Sequence, residues 1–545
     1  MRASLTQVRR DRLAFEEEQR AASIQLTAKT RQLLAEAALE VGRASTGDPA
    51  APSTNYSNWD HDNYHPNDAD SDNDWETESN AGDQGAHSEV RAVGQDDPAL
   101  SATRAQVIIC LQGSKNYRRR APRSRLHRNR EMHAAWSSQM TDLVSSFLSW
   151  KHRGVESVTS EINGKAGSTF HITSVSISSF CVLQSIHQAP DELANISLIK
   201  AGFLGCSPQQ PTTAISLECL ELYHQIRRRK SSFSVQAMVK VLCALHNRTY
   251  FQSFRDQFAI AFDAYLDVLR HVKTLVNQAL GRNSLNWRML NACPPCSYKQ
   301  DNEDPLDPAR LDSMDGNNSL KRVDGSGHAD ERVFPSDYLI TPSEVELFKD
   351  DVRLRPGTRI ATNAAPMAAS DDSACTENWK TANTVSENTV SVFDQTGIFV
   401  SACRHGIVQT LVEMRKSGEL AKYALATTSK ILDVYGSNGV TGYDIGCSYS
   451  KTVAASSISS KASASHHRFL VNSFHGHAHN RQCQIQYHPL YQKGLGIEDL
   501  ETCERIFSAS NSVAPVIRHA SYFHWLQFIE LHFDQWDLDK YSELS

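Results

Sequence analysis

Charge is segregated along this chain in a way that limits where a folded body can lie. Residues 51–100 carry 12 Asp/Glu against one basic residue, Arg91, among many Asn, Ser, Gly and Pro. Such a stretch has too little apolar surface to offset the entropy of ordering its backbone, so it is expected to be disordered. Upstream, residues 9–40 are rich in Ala, Leu, Glu, Gln and Arg and lack Gly and Pro, which predicts an exposed amphipathic helix. Its apolar positions (Leu13, Ile24, Leu26, Leu33, Leu34) keep no strict heptad, so a homo-oligomer through a coiled coil is one option only. Downstream, after the strand-like run Val107-Ile108-Ile109-Cys110-Leu111, residues 115–130 (KNYRRRAPRSRLHRNR) carry eight Lys/Arg and no acid. Arg118, Arg119, Arg120, Arg123, Arg125, Arg128 and Arg130 suit a nuclear import signal or an arm contacting DNA phosphates; a solvated basic linker is the plain alternative. The net charge of −6 is therefore a cancellation between an acidic and a basic block.

No stretch reaches the ~20 apolar residues that a membrane span needs, and the first residues contain no apolar signal core. A membrane-spanning or secreted protein is disfavoured. Twelve cysteines in 545 residues are too sparse for a disulfide framework, which leaves reduced thiols or metal ligands.

Globular patterning starts near Met140. MTDLVSSFLSW (140–150), SLECLELYHQIRRRK (216–230), SVQAMVKVLCALHN (234–247) and FRDQFAIAFDAYLDVLRHVKTLVNQALG (254–281) read as helices, the last with a glycine stop at Gly281. An acid-rich loop follows Lys299. The C-terminal part reads as α/β: short β runs at 389–393 and 398–403 joined as a hairpin by Asp394-Gln395-Thr396-Gly397, helices over 406–436, then a strand at 439–445 ending in an acid. The layout is an amphipathic helix at 1–45, an acidic disordered linker at 46–104, a basic arm at 105–135, a mostly α-helical module at 136–300 and an α/β region at 301–545.

Three acids stand in motif-like settings: Asp315 in Ser313-Met314-Asp315-Gly316-Asn317, Asp444 in Gly442-Tyr443-Asp444-Ile445-Gly446-Cys447, and Glu504 in Glu501-Thr502-Cys503-Glu504-Arg505. Phosphodiester chemistry with two hard cations needs carboxylates converging from different elements, and three acids suffice for two magnesium ions that also share the substrate phosphate. Each also has an ordinary reading: turn chemistry for Asp315, a strand-end cap for Asp444, a solvated helix residue for Glu504.

The runs MDGNNSLKR (314–322), FDQTGIFVSACRHG (393–406), SGELAKYALA (417–426), GYDIGC (442–447), FHGHAHNRQCQ (474–484) and GLGIEDLETCERIFSASN (494–511) decide between these readings. They resemble fungal KDZ (Kyakuja-Dileera-Zisupton) transposases, in particular basidiomycete proteins with a CxC1-like cysteine cluster, and the resemblance extends back to about residue 140. It implies an RNase H-like, DDE-type fold with Asp315, Asp444 and Glu504 as catalytic acids holding Mg²⁺, the last 60 residues after Asp444. It implies cleavage at transposon ends and joining to target DNA, both in-line phosphoryl transfers, in the nucleus. Asp394 ranks below the three because it falls in the expected hairpin turn.

Two further constellations could hold metal. Cys293-Pro294-Pro295-Cys296 can grip one Zn²⁺, with Cys181 and Cys206 as the available upstream partners. In the run 474–483, alternation on a strand would put His475, His477 and His479 on one face, with Cys483 nearby. Arg404-His405 and Arg505 suit DNA backbone contacts or internal pairs. Departures from the family pattern are the two prolines and several acids before Asp315, unsuited to a central strand, the incomplete cysteine cluster, and a chain that stops 41 residues after Glu504 where family members continue. They raise the expectation of a shortened, decayed copy. The alternative to an active transposase is thus a catalytically inactive, transposase-derived DNA-binding or interaction protein.

Overall fold

The computed structural model describes residues 124–153, 167–351 and 391–544. The expected helix at 9–40, the acidic linker, the run 107–111 and Arg118, Arg119, Arg120 and Arg123 of the basic arm lie outside the described residues. The described chain is mixed α/β, and none of its helices is long and apolar enough to cross a membrane.

The first part comprises α1 (Arg125–Arg153), β1 (Ser168–Val175), β2 (Phe180–Gln188), α2 (Ala194–Lys200), β3 (Phe203–Gly205), β4 (Thr213–Ser216), α3 (Leu217–Arg229), α4 (Val235–Leu245) and α5 (Gln252–Ala279). The anticipated helices form, and their ends have local causes. Ser216 caps α3 by accepting from the Cys219 N–H, and Ser234 caps α4 by accepting from the Ala237 N–H. Gly281 ends α5 in the left-handed region at φ +65°. The mostly helical expectation for this part omitted a four-stranded sheet of order β2-β1-β4-β3. β3 and β4 are only three and four residues long and half of β1 is Ser or Thr, so most of the sheet carries little of the β-branched apolar signal that marks a strand.

The second part runs α6 (Trp287–Asn291), α7 (Pro294–Ser297), β5 (Arg310–Asn317), β6 (Arg322–Val323), α8 (Pro342–Glu346), β7 (Phe393–Cys403), β8 (Val408–Arg415), α9 (Ala421–Tyr435), β9 (Gly439–Gly442), α10 (Gly446–Ala454), α11 (Ser459–Ala464), β10 (Arg468–Leu470), α12 (Ser473–Gly476), α13 (Arg481–Tyr487), α14 (Thr502–Ser510), α15 (Ala514–Ile517) and α16 (Tyr522–Leu544). Its sheet has the order β10-β9-β5-β7, with β8 and β6 also on β7. β5, β9 and β10 are parallel; β5, β7 and β8 alternate antiparallel.

Two expectations fail here. In place of the expected hairpin stands one strand from Phe393 to Cys403, because Asp394-Gln395-Thr396-Gly397 stays extended within β7; Thr389 and Val390 lie outside the described residues. The helix expected over 406–416 is β8, the true hairpin partner. The cause is burial on both faces: all but the first residue of β7 are buried, so its pattern is a continuous apolar run rather than alternation. Ile398, Val400 and Ala402 face a core shared with α1, α3, α5, α14 and α16, whereas Phe399 faces a second core with Tyr423, Tyr443, Tyr449 and Phe469. Both tryptophans of α16 lock it on the first face, Trp525 Nε1 donating to the Leu320 carbonyl at 3.1 Å and Trp536 Nε1 to that of Gly406 at 2.8 Å. The prolines before Asp315 do no harm, since Pro305 and Pro308 precede the first paired residue of β5, Arg310.

Asp394, moved from a turn to a strand, is buried against Arg322, whose Nη2 lies 2.7 Å from its carboxylate while Nε donates to Gln395 at 2.6 Å. Removing one partner of a buried pair strands the other charge, at a cost of about 3–5 kcal/mol. Because Arg415 Nη2, 3.2 Å from Asp394, remains as a partner, Arg322→Met should lower unfolding stability by the lower end of that range, about 3 kcal/mol, in urea titration, more than Lys416→Met, which removes an exposed pair with Asp324.

Candidate functional site

Register places the first two acids. Ser313 of β5 pairs in parallel with Gly442, the last residue of β9, and two residues further on come Asp315, still in β5, and Asp444, in the turn that follows β9. Side chains two residues apart share a face, so both carboxylates emerge together at the same end of adjacent strands. Met314 points to the opposite face, into the core with Phe399. Glu504 arrives from a third element: α14 packs on β5 and β7, with Cys503 Sγ 3.5 Å from Ser313 Oγ. The structure brings Asp315, Asp444 and Glu504 into one electrostatic neighbourhood, each of the last two raising the first.

Two further carboxylates join them. Glu419, just before α9, has Oε2 where a Cβ on Gly316 would come within 2.4 Å, and its other oxygen accepts from the Tyr443 phenol. Glu501 accepts from the Phe474 N–H at 2.7 Å and lies 3.9 Å from His475. Neither was singled out from the sequence. The signal was available for Glu419, the one acid in the run SGELAKYALA. Gly442 is required by the same crowding, since a Cβ there would sit 2.7 Å from Asn472 Oδ1 and 2.5 Å from Leu500.

The carboxylates perturb one another strongly. Burial first, then Asp444 and Glu419, push the Asp315 carboxyl well above its ordinary range, against the Gly316 N–H donated to it at 2.7 Å. Asp444 is pushed up to about 7, burial leading, with His475 opposing and Glu501, Glu419 and Glu504 adding. Burial likewise raises Glu419 and Glu501. Asp444 Oδ1 accepts from Asn472 Nδ2 at 2.9 Å, and His475 Nδ1 lies 3.0 Å from the same oxygen. A set of oxygen-only donors that repel one another is what a hard divalent cation neutralises, so these residues fit magnesium.

Sulfur and imidazole donors gather elsewhere. Cys293, Cys296, Cys403 and His405 present ligand atoms all within 4.8 Å of one another. His405 Nδ1 lies 3.5 Å from Cys293 Sγ and 3.2 Å from Cys296 Sγ. The pair Cys293/Cys296 at the start of α7 thus finds its partners in the β7–β8 turn; Cys181 and Cys206 take no part in this cluster. Three cysteines and one histidine match a closed structural zinc site. The missed signal was Cys403-x-His405, read as part of a DNA-contacting pair. Arg404 and Arg505 are internal partners, of Glu498 and Asp499 respectively.

The three histidines do not share a strand face. They lie in and after the short helix α12 and diverge: His475 goes to Asp444, His477 meets His488 edge to face at 5.9 Å, and His479 joins Cys447 and Cys483 in a second candidate cluster. A peptide turning helically cannot alternate its side chains two by two. Of the basic arm, Arg125, Arg128 and Arg130 lie in α1, where both forks of Arg130 grip Glu331, Nη2 at 2.8 Å.

No curated protein and no solved structure matches the chain. Residues 308–537, which contain all five carboxylates, match the model of the family KDZ: Kyakuja-Dileera-Zisupton transposase. Through that region, from just before β5 into α16, the chain is similar to the KDZ transposase family.

Proposed function

We propose that residues 308–537 form an RNase H-like, DDE-type core that cleaves and joins DNA strands, with Asp315, Asp444 and Glu504 as its acids. The observation that carries this is their convergence from β5, the end of β9 and α14 onto one cluster in which Asp444 and Glu504 repel Asp315, with Asp315 buried, Asp444 half-buried and Glu504 open to solvent. The strand arrangement supports it: numbering β5, β7, β8, β9 and β10 as one to five, the sheet runs 3-2-1-4-5, three antiparallel strands followed by two parallel additions, which is the RNase H pattern. DNA, as transposon ends and target, is the substrate such a family implies, and the basic segment 115–130 is suited to nuclear import and to phosphate contacts.

Asp315, Asp444 and Glu504 would hold the magnesium, with Glu419 beside Asp315. When bound, magnesium polarises the scissile phosphate and stabilises charge on the attacking and leaving oxygens. The chain's own groups set the geometry. Asn472 donates to the Asp444 carboxylate with His475 beside it, and Tyr443 donates to one oxygen of Glu419 and so fixes that side chain. The Cys293/Cys296/Cys403/His405 cluster would hold zinc as a structural clip between the residues before β5 and the β7–β8 turn.

Asp444→Asn should abolish magnesium-dependent nicking of the element's terminal DNA by on the order of 10³-fold or more. Unchanged nicking in that variant would favour the inactive, DNA-binding alternative. A pH effect follows from the raised acids. Between the ordinary carboxylate range and pH 7 the folded state holds protons that the unfolded state has released, so in magnesium-free buffer stability falls as pH rises through about 7. Thermal melts should show this decline, added Mg²⁺ should reverse it above pH 7, and Asp444→Asn should flatten it.

A further inference from the structure

The second sulfur-containing cluster is not needed for the phosphoryl chemistry, yet it lies against it. Cys447 is the second residue of α10, three residues after Asp444; His479 lies in the turn after α12; Cys483 is in the first turn of α13. All three are buried, at 5%, 4% and 6% exposure. His479 Nδ1 lies 3.5 Å from Cys447 Sγ and 3.3 Å from Cys483 Sγ, and the three ligand atoms fall within 4.8 Å of one another. Two features show that the site is built. Asn480 caps α13 by accepting from the Cys483 N–H at 2.9 Å, and Gln484 Nε2 donates to the His479 carbonyl at 2.8 Å, so the loop holding two of the donors is pinned at both ends.

The imidazole's proton is also assigned by its surroundings. His479 Nε2 lies 3.1 Å from the backbone carbonyl oxygen of Asp444. A carbonyl only accepts, so Nε2 carries the hydrogen and Nδ1 keeps its lone pair, directed at two thiol sulfurs. Metal-bound histidines ordinarily donate their second nitrogen to a carbonyl or carboxylate in this way, which fixes ring orientation and tautomer. Two sulfurs and one nitrogen form a soft donor set that excludes magnesium and suits zinc.

We propose that Cys447, Cys483 and His479 Nδ1 bind a second Zn²⁺ ion, solvent filling the fourth position, and that this ion ties the Asp444 segment to α13. On binding, the two thiols lose their protons to solvent and no redox step is involved. That the tie matters for strand cleavage rests on Asp444 being a catalytic acid; the ion's presence does not.

The test is the zinc content of the full-length protein, desalted and measured by elemental mass spectrometry, with cysteine alkylation mapped before and after chelation. The expected result is two Zn²⁺ per chain, falling to one in C447S/C483S and to one, at the other site, in C293S/C296S. If C447S/C483S does not fold, wild-type protein still decides: Cys447 and Cys483 should be protected from alkylation until the chelator is added, and then become reactive by at least tenfold. Zinc content unchanged in C447S/C483S, a wild-type chain holding none, or equal alkylation of both thiols with and without chelator overturns the proposal. None of these readings depends on nicking activity, so failure of the catalytic assignment would be seen separately.

Discussion

Asp315 and Asp444 leave the same end of two adjacent parallel strands, and much of the second sheet's surroundings can be understood as the means of holding that arrangement. Burying like charges side by side is unfavourable: Asp444 raises the proton affinity of Asp315, and Glu501, Glu419 and Glu504 raise that of Asp444. The arrangement persists because the strands are fixed by their own cores. Val440 of β9 and Leu311 of β5 are packed on one side of the pair, Met314 on the other. Close approaches at Gly316 and Gly442 then admit Glu419 and Leu500 to contact distance. The glycines of the two acid motifs are thus part of the same construction as the acids, since any side chain there would push a neighbour away.

A sheet buried on both faces needs cover on both, and the chain supplies it from distant parts of the sequence. One face is closed by α9 and α10. The other is closed by α14 and α16 together with helices from before residue 280, all within one continuous apolar core. Polar ties reinforce this cover: Lys273 of α5 meets Asp534 at 2.6 Å, and Arg332 bridges Asp263 of α5 to Asp330 next to His524 of α16. The first part is consequently a wall of the second part's core. The sulfur cluster at Cys293, Cys296, Cys403 and His405 makes a further tie of the same kind, across a sequence gap of more than a hundred residues.

The sequence misled where a pattern had two readings. In Gly406–Arg415, GIVQTLVEMR fits a helix and a strand alike, and only the facing strand selects the second. Asp394-Gln395-Thr396-Gly397 has turn composition, but Arg322 and Glu413 pair its polar side chains inside the sheet, so no turn is needed. Cysteines were sought upstream of Cys293 because ligand spacing is visible along a chain only when the partners are close in sequence. The prolines ahead of Asp315 gave a false warning, since strand intolerance to proline begins only where ladder hydrogen bonding begins.

What the sequence determined by itself is local: the helices at 140–150, 216–230, 234–247 and 254–281, the glycine stop at Gly281, and the motif settings of Asp315, Asp444 and Glu504, whose order survives in one dimension. What the tertiary structure decided is convergence. Whether Asp315, Asp444 and Glu504 meet, that Glu419 and Glu501 stand with them, and which imidazole faces which thiol are set by strand register and by the packing of α14, α9 and α13 on the sheet. Register turns on a single residue's shift, which flips a side chain to the opposite face, and no periodicity along the chain records it.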